Sequence, residues 1–228
     1  MKFTSTLIKG KLIKRYKRFF TDIKVNNQII TAHCPNTGSM LGLLDKDNEV
    51  WISKNNDPKR KLKYTLELIK VNKKLIGVNT HRANRIVEDA LENKLINEFK
   101  KIKLIKREFK FSKDTRFDFL CDNKIIEVKN VTLTRKYNIG EFPDAITARG
   151  SKHLKMLINS IKKGYKPYVL FLTQIQDINK FKIAKDIDAN YYKNYIEAKK
   201  AGVNFIAYRC YLSSKEIKIE KKITIIDE

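Results

Sequence analysis

Cysteine is scarce in these 228 residues, and the little there is makes no pattern. Cys34, Cys121 and Cys210 lie far apart with no CxxC pair, which excludes a zinc ribbon and a disulfide framework. They read as small buried hydrophobes. Histidine is equally sparse: His33, His81 and His153 are scattered and suggest no His-based metal site. No apolar run reaches the ~18 residues that span a bilayer. The opening residues, Met1 to Leu7, carry no hydrophobic stretch of signal-peptide length, so a cytoplasmic location is expected.

Acidic side chains are the remaining deficit: 25, against 49 lysines and arginines, for a net charge of +24. A field of that size attracts polyanions and speeds their capture, so nucleic acid is the leading partner. Two other readings stay open. A chain rich in lysine, isoleucine and asparagine also follows from an AT-rich genome. A basic face can also meet an acidic membrane surface, although no basic amphipathic helix stands out.

Residues 1–80 read as short strands separated by turns: Leu7–Lys14, Phe19–Val25, Gln28–His33, Glu49–Ser53, Tyr64–Val71 and Lys74–Val78. Asn26-Asn27 and Asn72-Lys73 are tight-turn signals between them. Many short strands in so little chain suggest a small barrel. Its cations are interleaved with Tyr16, Phe19, Phe20, Trp51 and Tyr64, a mixture that suits stacking bases while tracking phosphates and equally suits a ring-filled core. Arg15, Arg18, Trp51 and the basic run Lys59-Arg60-Lys61 are the candidate nucleic-acid contacts here. From Asn84 the period changes. Helices are expected over Arg85–Glu98, Ala145–Lys162 and Ala189–Ala201, and strands over Ile102–Phe111, Arg116–Cys121, Lys124–Val128, Pro167–Gln174 and Asn204–Leu212. That succession is an α/β domain with a mixed central sheet over residues 81–228.

Asp122-Asn123 makes a two-residue turn between two of these strands. In a tight hairpin Cys121 opposes Lys124, and counting back places Asp118 across from Glu127. Alternation sets Lys129 on the face of Glu127, opposite Arg116, and turns Phe117, Phe119, Ile126 and Val128 into the core. Facing carboxylates repel, but a Mg²⁺-like ion accepts two of them together with waters and a phosphate oxygen. The Val128 carbonyl is a further candidate ligand, and Lys129 can orient a water or steady charge on a phosphate. The alternative is a surface ladder in which Lys129 and Arg116 neutralise the acids.

Asp118 followed by Glu127-Val128-Lys129 on a hairpin after a helix resembles the PD-(D/E)XK nuclease superfamily, with Phe117 where that motif has proline. Longer segments carry a second resemblance. His33–Met40, Asn56–Lys61, Gly77–His81, Glu127–Val131, Glu141–Ala145 and Thr147–Gly150 look like the sugar fermentation stimulation protein A (SfsA) family, across essentially the whole chain. The resemblance implies an N-terminal OB-like barrel, a nuclease-like α/β domain and DNA binding, with RNA an open alternative. It matches Asp118 and Glu127 to metal-binding acids for Mg²⁺ or Mn²⁺, Lys129 to a catalytic lysine and Glu88 to an acid from the first helix. Gln174, Glu141 and His153 are possible supporting residues, and Arg149 and Lys152 possible phosphate contacts. The expected activity is metal-dependent phosphodiester hydrolysis. The rival is a non-catalytic DNA-binding regulator of sugar metabolism.

Overall fold

The computed structural model describes residues 1–226, so the expected domain limit at residue 228 lies just outside the described residues. Strands β1 (Ile8–Tyr16), β2 (Phe20–Val25), β3 (Gln28–His33), β4 (Glu49–Lys54), β5 (Tyr64–Val71) and β6 (Lys74–Gly77) form the first sheet, ordered β3-β2-β1-β4-β5-β6. Pairing of His33 with Thr65 joins β3 to β5 and closes the first five strands into a barrel. The turns are where expected: Asn26, Asn72 and Lys73 adopt the positive φ of tight hairpins. Leu12, Ile23, Val50, Ile52, Leu66 and Ile69 fill the interior. Met1–Phe3 leave the barrel altogether. The Met1 ammonium donates to Asp89 Oδ2 (3.0 Å) and to the Ile217 carbonyl (2.9 Å) of the second domain.

The second sheet has nine strands: β7 (Ile105–Ser112), β8 (Thr115–Cys121), β9 (Lys124–Val131), β10 (Leu133–Lys136), β11 (Ile139–Phe142), β12 (Lys166–Thr173), β13 (Lys180–Ile183), β14 (Asn204–Leu212) and β15 (Ile217–Ile225). Their order is β10-β11-β13-β15-β14-β12-β9-β8-β7, with β12 parallel to both neighbours and the outer pairs β7–β8 and β10–β11 antiparallel. Helix α1 (Ala83–Glu92) covers one face through Ile86, Val87, Ala90 and Leu91, against Phe119, Ile126, Leu170 and Ile206. Helices α2 (Ala148–Ile161) and α3 (Ala189–Lys200) cover the other with Leu154, Leu157, Tyr191 and Tyr195, in a core continuous with the barrel's. No helix of the described residues is long and apolar enough to cross a membrane.

Two helix limits differ from expectation for local reasons. The first helix stops at Glu92 because Lys94 turns left-handed and the Leu95 and Lys94 amides fold back on the Ala90 and Leu91 carbonyls, at 2.8 and 3.1 Å. That is a Schellman ending. It leaves Leu95 half in solvent rather than on the apolar stripe. The second helix begins after Thr147, whose side chain accepts from the Gly150 amide (3.1 Å), so Ile146 is exposed outside it.

Candidate functional site

The β8–β9 hairpin keeps the expected register for three pairs, Cys121–Lys124, Leu120–Ile125 and Phe119–Ile126. The ladder ends there, one step before Asp118 would face Glu127. Instead Asp118 Oδ2 accepts the Val128 amide at 2.7 Å, and its Oδ1 accepts from Asn84 Nδ2 of α1 at 2.7 Å. Side-chain direction changes at the same point. Phe119, Ile126 and Val128 belong to the core under α1, while Phe117 joins the core under α2 and meets the His153 ring edge-on at 5.9 Å. The expectation that all four apolar neighbours share one face is corrected accordingly. Arg116 is not opposite Lys129; it is exposed and pairs with Glu108 at 3.6 Å.

Glu127 is buried, with 6% of its side chain exposed. Its Oε1 lies 2.7 Å from Lys129 Nζ and 2.6 Å from His153 Nδ1. Its Oε2 is buried with no hydrogen-bond partner. Burial works to raise the Glu127 pKa, but the Lys129 charge and the His153 hydrogen bond outweigh it and hold the carboxyl below its ordinary range. Asp118 goes the other way. Burial first, and the Glu127 charge second, push its carboxyl up to about 6. Two acids whose environments drive their pKa values apart are a pattern of reactive sites.

This has a consequence for the metal-free protein. An acid with a raised folded pKa makes the fold less stable as pH climbs from the unfolded value, 3.8, to about 6, and no further change follows above that. Two units correspond to about 3 kcal/mol. In a chelating buffer, unfolding free energies measured from pH 4 to 8 are expected to fall more for the wild type than for Asp118→Asn. Parallel curves would rule out the shifted carboxyl.

The remaining candidates divide. His153, Arg149 and Lys152 line one groove with Lys110, Lys113, Arg116 and one acid, Asp114, and His153 joins that groove to Glu127. Arg18 lines a larger cleft between barrel and second domain, bounded by the loop 36–39 and residues 142–147. Arg15, expected to touch nucleic acid, spends its guanidinium on the carbonyls of Arg18, Asn36 and Gly38, at 2.8, 2.7 and 3.1 Å. It therefore shapes that loop. Gly38 lets Asp144 approach closely: a Cβ there would lie 1.9 Å from an Asp144 carboxylate oxygen, so that side chain would have to shift. Trp51 is half-buried on β4 with Lys9 above its ring. Of the basic run, Lys59 is exposed and Lys61 exposed, while Arg60 turns into a different cavity.

Glu88 is paired with Arg107 of β7 at 3.3 Å. Gln174 donates its amide to Asn130 and packs against Gly77, where barrel meets sheet. Glu141 is buried under Arg135 (2.8 Å) and Lys182 (3.7 Å) near the β10 edge of the sheet. None of these three has a hydrogen bond to Asp118 or Glu127 among the described residues. Asn84 was not a candidate from sequence, since nothing local marks a helical asparagine as the partner of an acid 34 residues later.

Comparison with known proteins agrees with this fold. A model for the sugar fermentation stimulation protein RE domain matches residues 81–216, and one for the SfsA N-terminal OB domain matches residues 13–78. The chain belongs to the SfsA family. The sugar fermentation stimulation protein homolog of Pelagibacter ubique is 64% identical over all of both chains. That of Pseudoalteromonas atlantica is 40% identical over 99% of this chain and all of its own. SfsA of Pyrococcus furiosus, solved in complex with Ca²⁺, superimposes with a TM-score of 0.88 over 100% of this chain and 98% of its own. At 23% identity that likeness speaks for the SfsA fold: an OB barrel followed by an α/β domain with a mixed sheet.

Proposed function

We propose that this protein binds DNA and hydrolyses its phosphodiester bonds with the aid of a divalent cation, Mg²⁺ or Mn²⁺. The observation that carries the reading is Glu127 Oε2, a buried carboxylate oxygen with no partner, beside an acid whose pKa is raised by burial and then by the Glu127 charge. A cation turns that repulsion into attraction, and oxygen donors of this kind fit a hard ion. Asp118 and Glu127 would hold it, with the Val128 carbonyl as a further candidate. When bound, such an ion activates water for attack and neutralises charge developing on phosphate. The P. furiosus relative is described with Ca²⁺, which agrees with a cation-binding role for the fold.

The side chains around it have separable tasks. His153 fixes Glu127 Oε1, so Oε2, buried without a hydrogen-bond partner, is the oxygen that would hold the ion. Asn84 and the Val128 amide aim Asp118. Lys129 Nζ lies 2.7 Å from Glu127 Oε1, and the same ammonium would hydrogen-bond a water or a phosphate oxygen placed beside that carboxylate. Arg149 and Lys152 track the strand along the groove that His153 lines.

One observation favours a second reading, a non-catalytic DNA-binding regulator affecting sugar metabolism. Among the described residues no three His, Cys, Asp or Glu side chains gather around one point, and Lys129 already neutralises Glu127. A cleavage assay over single- and double-stranded DNA and RNA, with Mg²⁺, Mn²⁺ or chelator, separates the two. Absence of cleavage by the wild type under every metal would overturn hydrolysis. Binding has its own test. An interface of six to ten phosphates is expected to lose roughly 10³–10⁵ in affinity between about 50 and 200 mM salt, and a flat response would remove phosphate as the main contact.

A further inference from the structure

Beside the first turn of α1 lies a cavity of about 300 Å³ that the hydrolytic reading does not use. His33 at the end of β3, Lys54 at the end of β4, Arg60 from the following loop, and His81, Arg82 and Arg85 around the start of α1 line it. Among the described residues no carboxylate does. Underneath, the buried Glu67 accepts from Ser53 Oγ (2.7 Å), Asn79 Nδ2 (2.9 Å) and Arg82 Nη2 (2.7 Å) and Nε (3.2 Å). That acid fixes and neutralises Arg82 alone. Among the described residues Lys54, Arg60 and Arg85 have no ion-pair partner. The positive field is felt inside the cavity: His33 has its pKa lowered by burial and then by the charges of Arg60 and His81.

Cations brought together without acids repel, and the fold gains nothing by aiming them at one small space. A doubly charged anion reverses that sign. A phosphomonoester carries about −1.5 to −2 charges and three acceptor oxygens, and planar guanidinium forks match its geometry. A phosphodiester carries only one. The volume is at the low end for ligand pockets, enough for a phosphate with its sugar. We infer that this cavity binds a phosphomonoester, either the terminal phosphate of a nucleic-acid strand or that of a free nucleotide. Arg85 of the cavity is adjacent in sequence to Asn84, which holds Asp118, so the pocket and the acids share the first turn of α1. The inference stands without hydrolysis, because it concerns binding alone.

The test uses the full chain with EDTA present, so that cleavage cannot contribute. Fluorescence anisotropy compares labelled single strands ending in 5′-phosphate, 3′-phosphate or hydroxyl, and calorimetry measures inorganic phosphate and a nucleoside 5′-monophosphate. The expected result is about tenfold tighter binding of a phosphate-ended strand. Inorganic phosphate should erase that preference, and it should be absent from Arg60→Gln/Arg85→Gln. Binding of phosphate and mononucleotide, lost in the paired variant but without strand-end preference, supports the free nucleotide as the source. Lys54→Gln provides an independent arm should the paired variant fold poorly, which a thermal melt reads directly. Equal binding of all strand ends together with no phosphate binding, or phosphate binding untouched by the substitutions, overturns the inference.

Discussion

Asp118→Asn is expected to lower metal-dependent DNA cleavage by about 10²–10³-fold, the scale of losing one group that steadies transition-state charge, with DNA affinity in chelator changed by less than about twofold. The substitution leaves local geometry open to repair. An asparagine oxygen still accepts the Val128 amide, and Asn84 can flip to present its own oxygen to the new amide group. What goes is the negative charge that a cation needs. The same charge is a burden to the metal-free fold, because burial and Glu127 both oppose it. Above pH 6 the variant should therefore be more stable than the wild type while it cuts less. An acid whose pKa the fold lowers does the reverse, losing stability when neutralised. Steady-state cleavage rates and urea melts on the same preparations decide between them. Retained activity in Asp118→Asn would remove Asp118 from the metal site.

The barrel was legible because its strands alternate and its turns are marked. Ile23 and Val50 face inward between exposed or half-exposed neighbours, and Asn26 and Asn72 supply the turns. By the same rule β15 is legible, since buried Ile217, Ile219 and Ile223 fall at even spacing with only exposed polar residues between them. The shorter β10, β11 and β13, at four residues each, offer too little period to separate from loop. The hairpin register was readable up to Phe119–Ile126, because a two-residue turn dictates it. Its end was not readable. It depends on a carboxylate displacing a backbone partner, and on Asn84 arriving from another element. Glu88 illustrates the limit of helical spacing. It lies off the stripe formed by Ala83, Ile86, Val87, Ala90 and Leu91, and where an off-stripe acid points is settled by its cross-chain neighbour, here Arg107.

Lys129→Met should produce the largest change in stability. Lys129 and Glu127 have side chains 13% and 6% exposed and lie 2.7 Å apart. Removing one partner of so buried a pair leaves an uncompensated charge, at a cost of about 3–5 kcal/mol. His153 can share part of the load, because its Nδ1 already meets the same oxygen. The double variant Lys129→Met/Glu127→Gln removes both charges and keeps the volume, so most of that loss should return, giving a coupling of roughly 2–3 kcal/mol. Denaturation midpoints of the two single variants and the double close the cycle. Additive effects would mean that the pair is not coupled as the geometry says. The same proteins also separate folding from chemistry. If Glu127 and Lys129 serve only the fold, the double variant regains function with stability. If they hold the cation and face the phosphate, the double variant melts nearly as the wild type does and still fails to cut DNA.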